Sequence, residues 1–177
     1  MGDGKIRMKV LYEDNHIIAV EKEPNIPSQE DKTGDIDMLT LVKKYIKEKY
    51  KKPGEVYIGL VHRLDRPVGG IMVFARTSKA ASRLSEQIRN KTFKKRYLAV
   101  VDGKFEEEKG SLENYLYKDE RNNISKVVNK DKKNAKLAKL DYEVLNYDDK
   151  RDVSLVKIDL HTRKTSSNKS SNVKFWT

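Results

Sequence analysis

One acid in this 177-residue chain is set among cations in a way that could do chemistry. In the stretch VHRLDRPVGGIMVFAR, residues 61–76, Asp65 stands between Arg63 and Arg66 and ahead of a Pro67–Gly69–Gly70 break. A carboxylate held beside cations stays ionised, and it can act as a nucleophile or base toward an anionic ligand that the arginines attract. The same residues also suit a plain turn, since Asp beside Pro is a common turn residue and arginines flanking a strand ordinarily face water. Composition alone favours the plain turn. His16, His62 and His161 are scattered along the chain, and His62 fits a strand better than a ligand set. Nothing in the chain suggests a metal or an organic cofactor.

The elements that must position Asp65 follow from pattern. Tyr57 to Leu64 alternates and is rich in β-branched and aromatic residues, and Ile71 to Ala75 repeats the signal, so the acid is expected at the mouth of a sheet. Upstream, Met8 to Glu13 and His16 to Lys22 predict a hairpin turning at Asp14-Asn15, and Glu23 to Asp35, with two prolines and Gly34, predicts a loop. Asp37 is placed to cap a helix carrying Leu39, Val42, Tyr45, Ile46 and Tyr50 on one face and a run of lysines on the other. Ser78 is placed to cap a second helix reaching Asn90, with Ala81, Leu84, Ser85 and Ile88 inward. Beyond it, Phe93 to Asp102 predicts a strand, KKRYLAVVDG at its heart, in which Tyr97 would by itself be read as a core residue. Leu112–Lys118, Ser125–Asn129, Lys136–Leu145 and Val153–His161 predict further strands, the last two as a long hairpin, with a turn at Asn122-Asn123. The fold class expected is α+β, a mostly antiparallel mixed sheet with packed helices.

The string HRLD, followed by Arg, Pro, Val and a Gly pair and then an apolar strand ending Ala75-Arg76-Thr77, resembles the signature of the RluA-type RNA pseudouridine synthases. The resemblance runs from about Val10 to Thr162 and implies the catalytic-domain fold of that family. It also implies isomerisation of uridine to pseudouridine in structured RNA, ribosomal or transfer. The Asp of HRLD is the family's nucleophile, which falls on Asp65. The Arg of the motif, which takes the space of the extruded base, falls on Arg63, and the tyrosine that packs on the target base falls on Tyr97. Arg66 is the remaining substrate-binding candidate. A base must leave its stack to be reached, so a cationic wedge and an aromatic platform beside an acid make physical sense. Where relatives carry Lys-Pro-Ala-Gly, this chain has Glu23-Pro24-Asn25-Ile26. Two other readings stay open: a non-catalytic RNA-binding or ribosome-associated protein, and an unrelated basic protein in which HRLD is a chance turn.

Composition bounds these readings. With 38 Lys+Arg against 27 Asp+Glu the net charge is +11, which suits a polyanionic partner such as RNA. A chain without cysteine has no disulfides or thiolate-bound zinc, and this fits a cytoplasmic protein. No apolar run is long enough to span a bilayer. A monomer with a single sizeable core is expected from the length.

The last residues break the pattern. RKTSSNKSSNVKFWT, residues 163–177, is polar, aperiodic and carries four of the surplus positive charges without an acid. A disordered basic tail is one reading. The other starts from the resemblance, which leads one to expect GR, one further residue, then HQIR and V after the strand VKIDLHT. One permitted back-translation of the tail, shifted by a single base, translates as GRHHQIRVQMSNFG. The expectation is therefore a partial catalytic domain at 1–162 with an out-of-frame tail, lacking the basic side chain that pairs with the catalytic Asp and further strands of the sheet, its activity in doubt. Sequencing the source gene through this junction tests it.

Overall fold

The computed structural model describes residues 8–119 and 124–161; the expected Asn122-Asn123 turn and the tail from Arg163 lie outside them. The chain divides between Thr92 and Phe93 into two compact units. The single core expected from the length is thus two cores.

In the first unit, β1 (Lys9–Glu13), β2 (Ile17–Lys22), β3 (Gly59–Leu60) and β4 (Gly70–Ala75) form a sheet in the order β1-β2-β4-β3, every pair antiparallel. The β1–β2 turn closes on Asp14, whose Oδ1 accepts from the backbone N–H groups of His16 and Ile17, each at 2.7 Å. Helix α1 (Met38–Lys49) starts where Asp37 accepts from the Thr40 N–H at 3.1 Å. Its buried stripe is Met38, Val42 and Ile46, one residue per turn on the face that meets the sheet. These three pack with Ile18, Val20, Met72 and Phe74, and with Val56 and Ile58, into the core of the unit. Helix α2 (Ser78–Arg89) is capped by Thr77 rather than Ser78, the Thr77 hydroxyl accepting from Ala80 N–H at 3.1 Å. Its inward side is Ala80, with Ala81, Leu84 and Ile88 half-buried; Ser85 faces out.

One expectation fails. The Tyr57–Leu64 stretch is not a strand of that length: only Gly59 and Leu60 join the ladder, opposite Ala75 and Phe74. Past Leu60, side chains take over from backbone pairing. The His62 ring accepts the N–H of Val73 at Nε2, 3.0 Å away, and Ser28 Oγ accepts from Leu64 N–H at 3.1 Å while donating to Leu64 C=O at 2.6 Å. Ile58, one of the apolar residues that gave the strand signal, is buried in the core with its neighbour Val56 instead.

The second unit is one antiparallel sheet of β5 (Arg96–Asp102), β6 (Lys109–Asp119), β7 (Ile124–Val128), β8 (Lys136–Asp148) and β9 (Val153–Leu160), ordered β5-β9-β8-β6-β7. The long β8–β9 hairpin is as expected, with a register shift between Val144 and Asn146. Val101, Leu140, Val156 and Ile158 form its core, joined by Phe105, whose ring centroid lies 5.0 Å from that of Tyr142. The opposite face carries cross-strand ion pairs: Arg96 with Asp159, and Glu143 between Lys109 and Lys157. Among the described residues no helix is long and apolar enough to cross a membrane.

Candidate active site

The β2–β4 register puts Lys22 opposite Gly70, at the end of the sheet from which the Asp65 turn projects. Ile18 and Val20 precede Lys22 at strand spacing, so the lysine shares their buried face and is itself fully buried. A buried ammonium needs acceptors for its protons. It finds them in the carbonyls of Glu23 at 3.2 Å, Arg66 at 3.0 Å and Val68 at 2.6 Å. Burial pushes the Lys22 ammonium below the usual lysine range; the Asp65 carboxylate opposes this and the Arg66 charge adds to it.

The turn is tied down along its length. Ser28 holds both backbone groups of Leu64, the Asp65 carbonyl accepts from Val68 N–H at 3.0 Å, and the Arg66 carbonyl accepts from Asn25 N–H at 2.7 Å besides Lys22. Asn25 reaches this position at φ 71°, a conformation that asparagine tolerates among the few non-glycine residues that do. The glycine pair has a local reason as well. Gly70 sits at φ 143°, and a Cβ on Gly69 would come within 3.0 Å of the Pro24 ring.

On this frame Asp65 is half-buried and Arg63 is exposed. Among the described residues Arg63 makes no ion pair. Arg66 differs: its Nη1 donates to Thr33 Oγ1 at 2.9 Å and meets Asp31 Oδ2 at 3.4 Å, and its Nη2 is in close contact with Asp35 Oδ2. Asp35 and then Asp31 hold the guanidinium above its ordinary range. The Asp35 carboxyl is lowered first by its bond from Arg66, and that of Asp31 first by the hydroxyl and N–H of Thr33.

Tyr97 lies in the second unit, near the start of β5 and opposite Ile158. There it is half-buried against the cluster of Val101, Leu140, Val156 and Ile158. Its neighbour Arg96 points to the other face and forks onto Asp159, Nε to Oδ1 at 3.0 Å and Nη2 to Oδ2 at 3.3 Å. The structure therefore brings Asp65, Arg63 and Arg66 together in the first unit and carries Tyr97 on the first strand of the second. Arg163 and Lys164, at the start of the tail, lie outside the described residues. No cluster of three or more acids or histidines suited to a metal occurs among the described residues.

Sequence reasoning missed Lys22, Ser28 and the Asp31, Thr33 and Asp35 set. For Lys22 a signal was present, since the Ile18–Val20–Lys22 alternation puts a lysine where an apolar residue belongs. For the others none was, because their partners are more than thirty positions away.

An antiparallel α+β chain that presents one acid on a braced turn between two arginines matches a known class. The profile of the RNA pseudouridylate synthase family fits residues 16–167, and the chain belongs to that family. It is 29% identical over 162 residues to the RNA pseudouridine synthase YhcT of Bacillus subtilis, covering 89% of this chain and 51% of that protein. A Mycoplasma genitalium RNA pseudouridine synthase, MG370, is 31% identical over 164 residues, covering 91% and 50% respectively. A ribosomal large subunit pseudouridine synthase D of Borreliella burgdorferi is 28% identical, covering 79% and 43%. The chain thus spans about half the length of these curated relatives or less. In fold it is similar to the human RNA pseudouridylate synthase domain containing 4 protein, with a TM-score of 0.72 at 21% identity over 89% of this chain and 60% of that one.

Proposed function

We propose that this chain carries out uridine-to-pseudouridine isomerisation in structured RNA, with Asp65 as nucleophile. The observation that carries the reading is the bracing of the Asp65 turn. A carboxylate on a surface turn is ordinarily mobile, whereas here the backbone from Leu64 to Val68 is fixed by Ser28, Asn25 and Lys22, so the acid is held ready for a substrate. A turn of no consequence has no need of a buried lysine beneath it.

The reaction breaks the bond from ribose C1′ to uracil N1, turns the detached base and joins C1′ to C5. The C5 proton is lost and N1 gains one, so no oxidant or reductant is required. Asp65 attacks at the ribose or at the base to open this sequence. Arg63, exposed and without an ion pair among the described residues, is suited to enter the duplex where the nucleotide leaves. Tyr97 supplies an aromatic face for the uracil. RNA, ribosomal or transfer, is the partner this chemistry needs, and the surplus positive charge favours it.

Tritium release from RNA labelled at uridine C5 tests the reading. Activity is expected to fall about a thousandfold or more in Asp65→Ala, with the melting temperature retained. Release from that variant at the rate of the unaltered chain removes Asp65 as nucleophile. Salt-sensitive RNA binding with no release from either protein favours the non-catalytic RNA-binding reading.

A further inference from the structure

The two arginines flanking Asp65 are in different states, and the difference defines a second site. Arg63 makes no ion pair among the described residues, while the Arg66 guanidinium is filled by oxygens on both terminal nitrogens, two of those oxygens anionic. A planar guanidinium facing two carboxylates is the arrangement it adopts toward a phosphate, and the carboxylate oxygens of Asp31 and Asp35 stand where phosphate oxygens would. The geometry points to Arg66 as an RNA-phosphate site that Asp31 and Asp35 mask in the free protein, one backbone phosphate exchanging for the two carboxylates when RNA binds. This rests on the RNA-directed function proposed above.

Three observations carry the exchange. All the charged partners are accessible, with side-chain exposures of 38% for Arg66, 40% for Asp31 and 52% for Asp35, so water and a ligand reach the pairs without any unfolding. Ion pairs this exposed contribute little and weaken with salt, which makes them replaceable by a doubly bonded phosphate. The backbone of Arg66 is anchored independently of its side chain, its carbonyl being held by Asn25 N–H and Lys22 Nζ. Releasing the guanidinium therefore leaves the Asp65 turn in place. The 31–35 loop likewise keeps its own shape when let go, because Asp31 Oδ1 accepts from both the N–H of Thr33 at 2.9 Å and its hydroxyl at 2.5 Å, and Gly34 turns the chain at φ 71°. One guanidinium with two carboxylates carries net negative charge, so the mask repels phosphate until it is displaced. It sets a threshold that an RNA must cross beside the nucleophile.

The test is equilibrium binding of a uridine-containing RNA stem-loop to the full chain by fluorescence anisotropy, over a series of salt concentrations. Asp31→Asn combined with Asp35→Asn is expected to tighten binding about fivefold. The same pair should steepen the dependence of log K on log salt by about one, because the carboxylates released in the unaltered chain take up cations as the phosphate displaces them and the amides do not. Adding Arg66→Gln to that pair is expected to abolish the gain, and Arg66→Gln alone to weaken binding. A gain that survives Arg66→Gln reflects removal of negative charge in general and overturns the site, as do unchanged affinity and slope in the double variant. If the unaltered chain binds no RNA at any salt, the proposed function fails and this site with it. If it binds RNA and the double variant behaves identically, only the masked site fails.

Discussion

The two ends of β4 each bury a charge, and they satisfy it in opposite ways. At the Gly70 end the charge is the Lys22 ammonium, which donates to three neutral backbone carbonyls. At the Arg76 end it is the Glu13 carboxylate, its side chain 8% exposed. That carboxylate accepts from Tyr45 hydroxyl at 2.9 Å, Tyr50 hydroxyl at 2.7 Å, Lys49 Nζ at 2.8 Å and Arg76 Nη1 at 3.0 Å. The Arg76 guanidinium also stacks 4.7 Å from the centre of the Tyr50 ring. Carbonyl dipoles solvate the Lys22 cation, whereas Lys49 and Arg76 meet the Glu13 carboxylate as ion pairs. The first arrangement holds a cation under a turn that bears an acid; the second fastens β1, α1 and β4 together through charged side chains. On the function proposed above, one end serves the site and the other cohesion.

That contrast can be broken by experiment. Lys22→Met removes the buried donor shared by three carbonyls and should lower the unfolding free energy by about 3 kcal/mol. It should also cut pseudouridine turnover more than tenfold at temperatures where the variant remains folded, with little change in KM. Urea denaturation and tritium release measure the two effects, and turnover unaffected by Lys22→Met would reduce the lysine to a filler. Glu13→Gln should lower stability by about 2 kcal/mol, since it weakens a largely buried ionic cluster while keeping its shape, and leave turnover of the folded fraction unchanged. If it impairs turnover as much as Lys22→Met does, the division between the two ends is wrong.

The pH dependence of stability sharpens the same point. Burial raises the Glu13 carboxyl, but the bonds from Lys49, Tyr50 and Tyr45 and the Lys49 charge outweigh it, and the group sits below its ordinary value. The folded state therefore binds this proton less readily than the unfolded chain. The stabilisation is complete above the unfolded carboxylate value and is lost as pH falls through the folded one. Urea midpoints measured through the acid range should show a decline that is shallower in Glu13→Gln. The smallest effect is expected in the second unit, where bonds from Lys157 and then Lys109 push Glu143 down to about 2 on an open sheet face. Glu143→Gln should move the melting temperature at neutral pH by no more than about 2 °C, because exposed pairs contribute little. Any difference from the unaltered chain should fade as pH approaches 2.

Much of this was legible in advance. The β1–β2 hairpin, α1 with its Asp37 cap, the strand after the glycine pair and the β8–β9 hairpin follow from alternation, helical spacing and turn residues, all of them local signals. The acid on its turn was legible for the same reason. What was not legible depends on partners distant in sequence. Lys22 meets carbonyls 44 and 46 positions away, and Arg66 meets carboxylates 35 and 31 positions away. The strand expected over Tyr57–Leu64 failed because composition reports a preference for extended backbone and not which groups the backbone will pair with. In α2 the inward face rotated toward Ala80, a residue whose small size left no mark in an apolar pattern.

The ring of His62 closes the gap that the short β3 leaves, and this fixes its electronic state. To accept the Val73 N–H, Nε2 must keep its lone pair, so the imidazole is neutral and its one proton resides on Nδ1. An imidazolium could not make that bond. The histidine three residues before the acid is thereby committed as an acceptor to the scaffold, and its Nε2 has no proton to give a departing or returning base.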